Sequence, residues 1–361
     1  MKSLVKTALL TASLLASSIA AASDIVVASW NVKRMGHGDQ QSFPALAAIV
    51  GKADLIALQE VMNEKGLASL ESALEKNTGE SWTTLASHAI GSASYKEMYA
   101  FAWRDKTVAY EDGAVVYLDR GNRFIREPFS AKFKSLRDGS ELALGTVHIL
   151  YGDGVSDRTP EIRALADYWT WMAEVYPGTP QMLVGDFNLP PSDPAWEPLK
   201  QYAKPLITRG ASTLSGKDGK YANLYDNIWV STNSPLKINY AGIIDYPKLL
   251  GWNHEKSRSH VSDHAPVFAA LGRAKLDVAV VGASAGASIT SVPAPRPVRT
   301  QLSSAHASSQ SLGAVRGNSS SMIYHRPDCP SYNRISVKNQ IEFPSAQAAA
   351  AAGYRLAGNC R

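Results

Sequence analysis

Two short polar segments, each next to an apolar strand, constrain this chain most. Leu183-Val184-Gly185-Asp186-Phe187-Asn188 has the pattern of a buried strand that ends in a carboxylate and an amide. Further along, Ser262-Asp263-His264 sets a carboxylate beside an imidazole, directly before another apolar run at residues 265–271. Strand ends are where a sheet can present polar groups in one crevice, so these two segments indicate a metal-assisted hydrolytic site.

Apolar runs and helical periodicities alternate along residues 24–271, which predicts an α/β protein. The predicted helices cover 41–50, 66–76 and 160–175, with Pro160 in a first turn. The predicted strands cover residues 24–30, 55–58, 99–103, 114–118, 129–134, 142–149, 182–184, 227–231 and 265–271.

The first 22 residues have the pattern of a signal peptide. Lys2 and Lys6 form a basic segment, residues 9–20 are apolar, and Ala20-Ala21-Ala22 provides a small-residue cleavage site. A membrane anchor is the alternative, but the apolar run is short for a span. We therefore expect a mature chain that starts near Ser23, is secreted or periplasmic, and has no membrane partner after cleavage.

The composition changes after the predicted body, residues 23–271. Residues 272–320 are rich in Ala, Ser, Gly and Pro, which predicts a disordered linker. Residues 321–361 regain aromatic and apolar side chains and are predicted to form a small module. Residues 23–270 carry a net charge of −4 and residues 271–361 carry +7. The basic tail either favours a polyanion or only aids solubility.

Polar residues at strand ends, together with His148 within its strand, suit phosphodiester hydrolysis. This reaction needs an activated water, charge neutralisation on the phosphoryl oxygens and a stabilised leaving oxygen. Each residue alone also has an ordinary structural explanation, so the ordered set carries the prediction. Glu60 is the expected carboxylate ligand for Mg²⁺, with the amide of Asn31 in support. His264 is the expected general base, and His148 the donor to the phosphate or to the leaving oxygen. Asp186 is expected to align the water.

With these motifs in place, the chain resembles the endonuclease/exonuclease/phosphatase superfamily over residues 24–271. Two further segments are similar to the deoxyribonuclease I branch of that superfamily. They are Ser94-Tyr95-Lys96-Glu97-Met98-Tyr99 and Arg126-Glu127-Pro128.

The resemblance implies a four-layer sandwich, in which two packed mixed β-sheets are flanked by helices. It also implies an endonuclease that cleaves DNA and leaves 5′-phosphates, using Mg²⁺, with Mn²⁺ or Ca²⁺ as alternatives. By motif position, the metal would be held by Glu60, Asn31 and Asp263. The catalytic residues would be His148, His264, Asp186, Asn188 and Asp226, and the DNA contacts Tyr95 in the minor groove, Arg126 on a phosphate, and Lys33.

The chain also departs from the deoxyribonuclease I pattern. Its body has no cysteines, and Met62 and Lys33 stand where that branch uses arginines on DNA, so base preference is open. The alternatives are a phosphodiesterase of the same fold that acts on RNA or a phospholipid, and a catalytically inactive DNA-binding protein. No obligate protein partner is predicted.

The last 41 residues, 321–361, resemble a zinc-binding Ada-like module of bacterial nucleases. The full module uses four cysteines, but this chain has only Cys329 and Cys360. They are expected to form a disulfide or, with His325, a partial zinc site.

Overall fold

The computed structural model describes residues 24–38, 40–283, 315–318, 323–327, 340–343, 345–352 and 354–356. The predicted signal peptide, Cys329 and Cys360 lie outside the described residues. In the part of the chain that is described, no helix is long and apolar enough to cross a membrane.

Fourteen strands and six α-helices make up residues 24–283. The strands are β1 Val26–Met35, β2 Leu55–Val61, β3 Trp82–Ala86, β4 Ile90–Gly91, β5 Lys96–Arg104, β6 Val108–Val116, β7 Phe129–Ser135, β8 Glu141–His148, β9 Gln181–Asp186, β10 Ala203–Pro205, β11 Asp226–Ser231, β12 Ile238–Ile244, β13 Val267–Leu271 and β14 Val280–Ala283. The helices are α1 Phe43–Val50, α2 Glu64–Thr78, α3 Val155–Val175, α4 Glu197–Lys200 (which follows a 3₁₀ turn, Pro194–Trp196), α5 Tyr246–Leu250 and α6 His254–His260.

The strands form two mixed sheets. The first has the order β14-β12-β13-β1-β2-β5-β3, with β4 paired to β5, and the second has the order β10-β11-β9-β8-β7-β6. Their inner faces share one apolar core, in which the ring of Phe101 lies 5.3 Å from that of Phe129 and 5.2 Å from that of Phe133. Burial on both faces explains why the central strands are nearly continuous apolar runs in the sequence.

Helices cover the two outer faces. On the first sheet, α1 and α2 bury Leu46, Ile49, Leu70 and Leu74. On the second, α3 and α4 enclose a separate apolar cluster that includes the stacked rings of Trp196 and Trp229. The layer order is helix, sheet, sheet, helix, so the predicted four-layer α/β sandwich is confirmed.

Several element boundaries differ from the prediction. Helix α3 begins at Val155, so Pro160 lies inside it and removes only the bond to the carbonyl of Ser156. Strand β6 covers Val108–Val116 instead of 114–118, because two bulges interrupt its alternation. Strands β3, β4, β10, β12 and β14 were not predicted; most are short or lie at sheet edges.

The predicted linker, 272–320, has strands at both of its ends. Strand β14 pairs with β12 and completes the first sheet. Near the other end, β15 Val315–Asn318 is an inner strand of a small sheet. That sheet also contains β16 Ile323–His325, β17 Gln340–Phe343 and β18 Arg355–Leu356, in the order β17-β15-β16-β18, and is accompanied by α7 Ala346–Ala351.

Candidate active site

Strand directions bring the predicted polar residues to one end of the sandwich. The parallel pair β8 and β9 places His148 opposite Asp186, and the antiparallel strand β11 places Asp226 on the other side of Asp186. In the facing sheet, β1 carries Asn31 and its parallel neighbour β2 carries Glu60. The ends of the two sheets therefore face each other across one crevice.

Asp186 is at the centre of this group. Its Oδ2 lies 3.5 Å from Nε2 of both His148 and His264, and it accepts a hydrogen bond of 3.1 Å from Nδ2 of Asn31. Its Oδ1 accepts from the backbone N–H of Asn188 at 3.0 Å. Burial disfavours the charge, but the two imidazoles and these donors outweigh burial and lower the pKa of Asp186. Asp186 is thus held as a carboxylate between two imidazoles.

His264 pairs with Asp226. The Nδ1 of His264 lies 2.8 Å from Oδ2 of Asp226, which also accepts a 2.6 Å hydrogen bond from the hydroxyl of Ser212. Burial opposes the charged imidazolium, but Asp226 and Asp186 raise the pKa of His264 well above its usual value. The ring is therefore oriented through Nδ1, and its Nε2 faces Asp186.

His148 has an equivalent partner in the other half of the site. Its Nδ1 lies 2.8 Å from Oε1 of the buried Glu97, and its backbone N–H donates to the hydroxyl of Tyr99 at 2.9 Å. Burial opposes the imidazolium here too, but Glu97 outweighs burial and raises the pKa of His148. Arg126 lies behind the pair, and its Nε donates to the carbonyl of His148 at 3.0 Å.

Glu60 and Asn31 lie where the backbone bulges. Glu60 has φ +60°, and Lys33 and Arg34, just after Asn31, have φ +49° and +52°. The pairing register of the strands shifts at both places. The sequence predicts that Asn31 and Glu60 end their strands, whereas both residues lie inside strands that continue beyond them. The Glu60 carboxylate accepts from Nδ2 of Asn31 at 2.9 Å and from the N–H of Arg34 at 3.0 Å. The bulges re-aim both side chains into the crevice.

The matched sequence family agrees with this geometry. Residues 28–264 match the family described as Endonuclease/Exonuclease/phosphatase family, and this segment contains all of the residues named above. The chain belongs to the endonuclease/exonuclease/phosphatase family.

Two relatives of this chain carry more specific names. A "Deoxyribonuclease" from Thioalkalivibrio sp. (strain K90mix) is 46% identical over 270 residues, which cover 73% of this chain and 75% of the relative. "Deoxyribonuclease-1-like 1" from Sus scrofa is 27% identical and covers 63% of this chain and 74% of its own length. A functionally unknown conserved protein from Enterococcus faecalis V583 has the same fold, with a TM-score of 0.51 at 17% identity over 68% of this chain and 98% of its own.

The C-terminal region matches a different family from the expected one. Residues 301–356 match the family described as ArfC, and the predicted Ada-like module is not confirmed. The ArfC match begins inside the predicted linker, in agreement with β15 being an inner strand of the small sheet. His325 lies in β16, whereas the two cysteines of the expected disulfide or zinc site are outside the described residues.

The predicted DNA contacts lie in three different environments. Tyr95 is half-buried with its hydroxyl 3.9 Å from the sulfur of Met62, and burial together with the charge of Glu60 raises its pKa. The Nζ of Lys33 donates to the carbonyl of Arg258 at 2.8 Å. Arg126, expected on a phosphate, is only 7% exposed and braces His148 from behind.

This family member can hold a divalent ion in two overlapping ways. Asp186, Asp226 and His264 offer ligand atoms within 4.8 Å of one another, but the last two are engaged with each other. Glu60 is more accessible to a cation, because it is only partly buried and is not bonded to a histidine in the described residues. The amide nitrogen of Asn31 faces Glu60 and Asp186, and its oxygen accepts from Lys33. The carboxylate oxygens of Glu60 and Asp186 are the donors that fit a hard cation.

The predicted ligand Asp263 is engaged in an ion pair. Its carboxylate lies 3.3 Å from Nη2 of Arg258. Residues next to it in sequence bond to β1. Ser262 donates to the carbonyl of Asn31 at 2.6 Å, and Trp30 donates to the carbonyl of His264 at 2.7 Å. These bonds fasten the Ser262–His264 loop to β1.

Sequence reasoning assigned no role to three residues that now border the histidines: Glu97, Tyr99 and Ser212. Glu97 had a usable signal, since it is an acid within an otherwise apolar strand, but an acid near a strand end is usually solvated. Ser212 had none, because it lies in an irregular segment 14 residues before its partner Asp226.

Helix α3 supports the loops that carry the site. The buried carboxylate of Glu161 accepts from the N–H groups of Ile125 and Leu150, both at 2.9 Å. These residues adjoin Arg126 and follow His148 closely, so Glu161 fixes the two loops relative to each other. A second buried residue of the helix, Arg158, holds the loops after β8 and β9.

Proposed function

We propose that this chain is an exported, divalent-metal-dependent endonuclease that hydrolyses phosphodiester bonds of DNA with little sequence specificity and leaves 5′-phosphate ends. The main support is the arrangement of the two histidines around Asp186. Each imidazole is bonded through Nδ1 to its own buried carboxylate, and each has its Nε2 3.5 Å from Asp186. The name of the 46% identical relative supports DNA as the substrate.

In this proposal the two histidines have opposite tasks. Asp226 accepts from Nδ1 of His264, which leaves Nε2 as the proton acceptor for the attacking water. Glu97 stabilises the imidazolium of His148, so His148 can donate its Nε2 proton to the phosphate or to the leaving 3′-oxygen. Asp186 orients the water between them, and Asn188 braces Asp186 through its backbone N–H.

The cation would be held by Glu60, with Asn31 orienting that carboxylate and Asp263 assisting from the rim. Mg²⁺ is the proposed ion, with Mn²⁺ or Ca²⁺ as substitutes, because carboxylate and amide groups dominate this end of the crevice. When bound, it would neutralise charge on the phosphoryl oxygens. It would also lower the pKa of His264, so that Nε2 is neutral and can accept the proton of the attacking water.

A plasmid-nicking assay tests the proposal. With Mg²⁺ we expect wild-type protein to convert supercoiled plasmid to nicked circles, and with EDTA to leave it intact. His264→Ala should reduce the rate by about 10²- to 10⁴-fold, the usual worth of general acid–base help. His88→Ala, at an exposed histidine outside the crevice, is the matched control.

The same assay separates the alternatives. Duplex DNA, single-stranded DNA, RNA and a phosphocholine lipid are offered side by side. Preference for RNA or lipid would overturn the substrate, and undiminished nicking by His264→Ala would overturn the assignment of the base. DNA binding without cleavage under all metal conditions would indicate an inactive DNA-binding protein.

Export is tested on the mature protein. Residues 1–22 have the signal-peptide pattern, so N-terminal sequencing of protein recovered from outside the cytoplasm should begin near Ser23. An intact Met1 on the recovered protein would contradict export by cleavage.

A further inference from the structure

Tyr151 is an exposed aromatic residue in the loop that follows His148. Its side chain is 57% exposed, although it is only three residues beyond the imidazole. One face of its ring is covered by the guanidinium of Arg158, whose central carbon is 4.1 Å from the ring centroid. The ring of Tyr225 packs against it in an edge-type arrangement, with the ring centroids 6.4 Å apart. The aromatic ring is therefore supported from below and from the side.

The support is rigid because Arg158 is itself fixed. Arg158 is only 6% exposed and donates from Nε to the carbonyl of Tyr151 at 2.7 Å. Its Nη1 donates to the carbonyl of Asn188 at 2.6 Å and to the hydroxyl of Tyr225 at 3.3 Å. Asn188 follows Asp186 closely and Tyr225 precedes Asp226, so this network sets the position of the Tyr151 ring relative to the catalytic carboxylates.

The loop chemistry favours stacking over phosphate binding. Residues 149–154 contain no lysine or arginine, and Asp153 adds a negative charge beside Tyr151. Arg158 is only 6% exposed, and its Nε and Nη1 are bonded to the protein. What the loop offers to a ligand is one flat aromatic face, and such faces bind unstacked nucleobases without strong sequence preference.

We propose that Tyr151 is a stacking platform for a nucleobase of the DNA strand, next to the phosphate that is cleaved. The inference rests on the proposed nuclease function of the same site. It adds a base-binding position that favours single-stranded or locally unpaired DNA, because duplex bases are already stacked.

The test uses fluorescence anisotropy with a labelled single-stranded (dT)8 and a matched oligomer of abasic sites. Full-length protein carrying His264→Ala is the background, so that the probe is not cut. Adding Tyr151→Ala should weaken binding of (dT)8 by about 5- to 150-fold, the range for loss of one base–aromatic stack, and leave abasic binding within about twofold. Tyr151→Phe should bind (dT)8 like the background.

Tyr202→Ala is the matched control, since Tyr202 is also exposed but precedes β10, whose partner positions lie at the far end of β11. An unchanged Kd for (dT)8 with Tyr151→Ala would overturn the platform. An equal loss on both oligomers would also overturn it, by indicating a sugar–phosphate contact. Failure of the proposed function would give a different result: neither wild-type protein nor the Tyr151→Ala variant would nick plasmid.

Discussion

At the scale of single residues, the two histidines of the site differ in what surrounds their carboxylate partners. Glu97 is buried and has Arg126 nearby, with Nε 3.9 Å from Oε2. Asp226 is backed by the neutral hydroxyl of Ser212, and its other oxygen, Oδ1, has no hydrogen-bond partner among the described residues. The cation beside Glu97 and the free oxygen on Asp226 make the two pairs chemically unequal, as an acid and a base need to be.

Removing the charge of Glu97 should disable His148 without removing it. For Glu97→Gln we expect kcat to fall by about 10²- to 10⁴-fold with little change in KM, because the imidazolium loses its stabilising partner. Steady-state cleavage of a fluorogenic oligonucleotide measures this. Glu111→Gln, at an exposed acid of β6, is the control, and a wild-type rate for Glu97→Gln would contradict the role.

The same substitution predicts a pH dependence of stability in the metal-free protein. Burial disfavours the imidazolium, but Glu97 raises the pKa of His148 above 6.5. The pair therefore stabilises the fold fully below that value, and its contribution is lost as pH rises through the raised pKa. Thermal unfolding in EDTA should show a Tm difference between wild type and Glu97→Gln that is largest below pH 6.5 and shrinks in alkali. A Tm difference that grows as the pH rises would contradict the stabilising role of the Glu97–His148 pair.

At the scale of elements, helix α3 holds the reaction loops by two buried charged side chains. Glu161 is 2% exposed and binds two backbone N–H groups, and Arg158 binds two backbone carbonyls. Buried groups that satisfy loop backbones in this way are costly to change, because the loop atoms are left without partners. The helix thus connects loop geometry to its own packing on the second sheet.

Glu161→Gln tests this connection. An amide can accept only one of the two N–H groups, so we expect a loss of about 1–3 kcal/mol in the free energy of unfolding. The rate should fall through kcat, since Glu161 does not face the crevice. Urea unfolding and steady-state kinetics measure both, with the exposed Glu174→Gln on the same helix as control. Unchanged stability and kcat would remove the role.

The elements also show what the sequence could and could not predict. Buried strands such as β2, β9 and β13 are legible because burial on both faces makes them continuous apolar runs. Their order brought Glu60, Asp186 and His264 into one predicted site. The bulges after Asn31 and at Glu60, and the short edge strands, depend on contacts between distant segments. The environment of Arg126 does too, because Arg126 is in a loop and the carbonyl that binds its guanidinium belongs to His148, at the end of β8.

At the scale of the whole molecule, the first sheet is not complete until the chain has passed residue 271. Strand β14 pairs with β12, and the intervening residues bind the body: Arg273 pairs with Asp24, and the hydroxyl of Tyr240 donates to the carbonyl of Leu276 at 2.6 Å. The segment that composition alone assigns to a linker therefore closes one edge of the sandwich.

Two truncations should differ for this reason. A chain that ends after Ala283 keeps β14. Its Tm should equal the Tm at which residues 24–283 unfold in the full-length protein. A chain that ends after Leu271 loses the edge strand and should unfold at a lower Tm, since β12 is left with unpaired backbone groups. Differential scanning calorimetry compares them, and equal Tm values would show that the edge strand contributes nothing.

The truncation after Ala283 also tests the basic tail. Removing the module should raise the apparent KM for long DNA and flatten its salt dependence, because fewer cations meet phosphates. Turnover on short duplexes with metal should persist. KM measured over a series of NaCl concentrations decides this, and an unchanged salt slope would mean that the tail serves solubility alone.

Finally, one missing methyl group sets the spacing between two reacting side chains. Strands β8 and β9 pair so that Val147 lies opposite Gly185, just before His148 and Asp186. A Cβ at Gly185 would lie 2.0 Å from the carbonyl oxygen of Val147, and the residue has φ +147°, so any side chain there would push the strands apart. Any substitution meant to retarget this scaffold should therefore leave position 185 as glycine. A side chain there would change the distance between the imidazole of His148 and the carboxylate of Asp186.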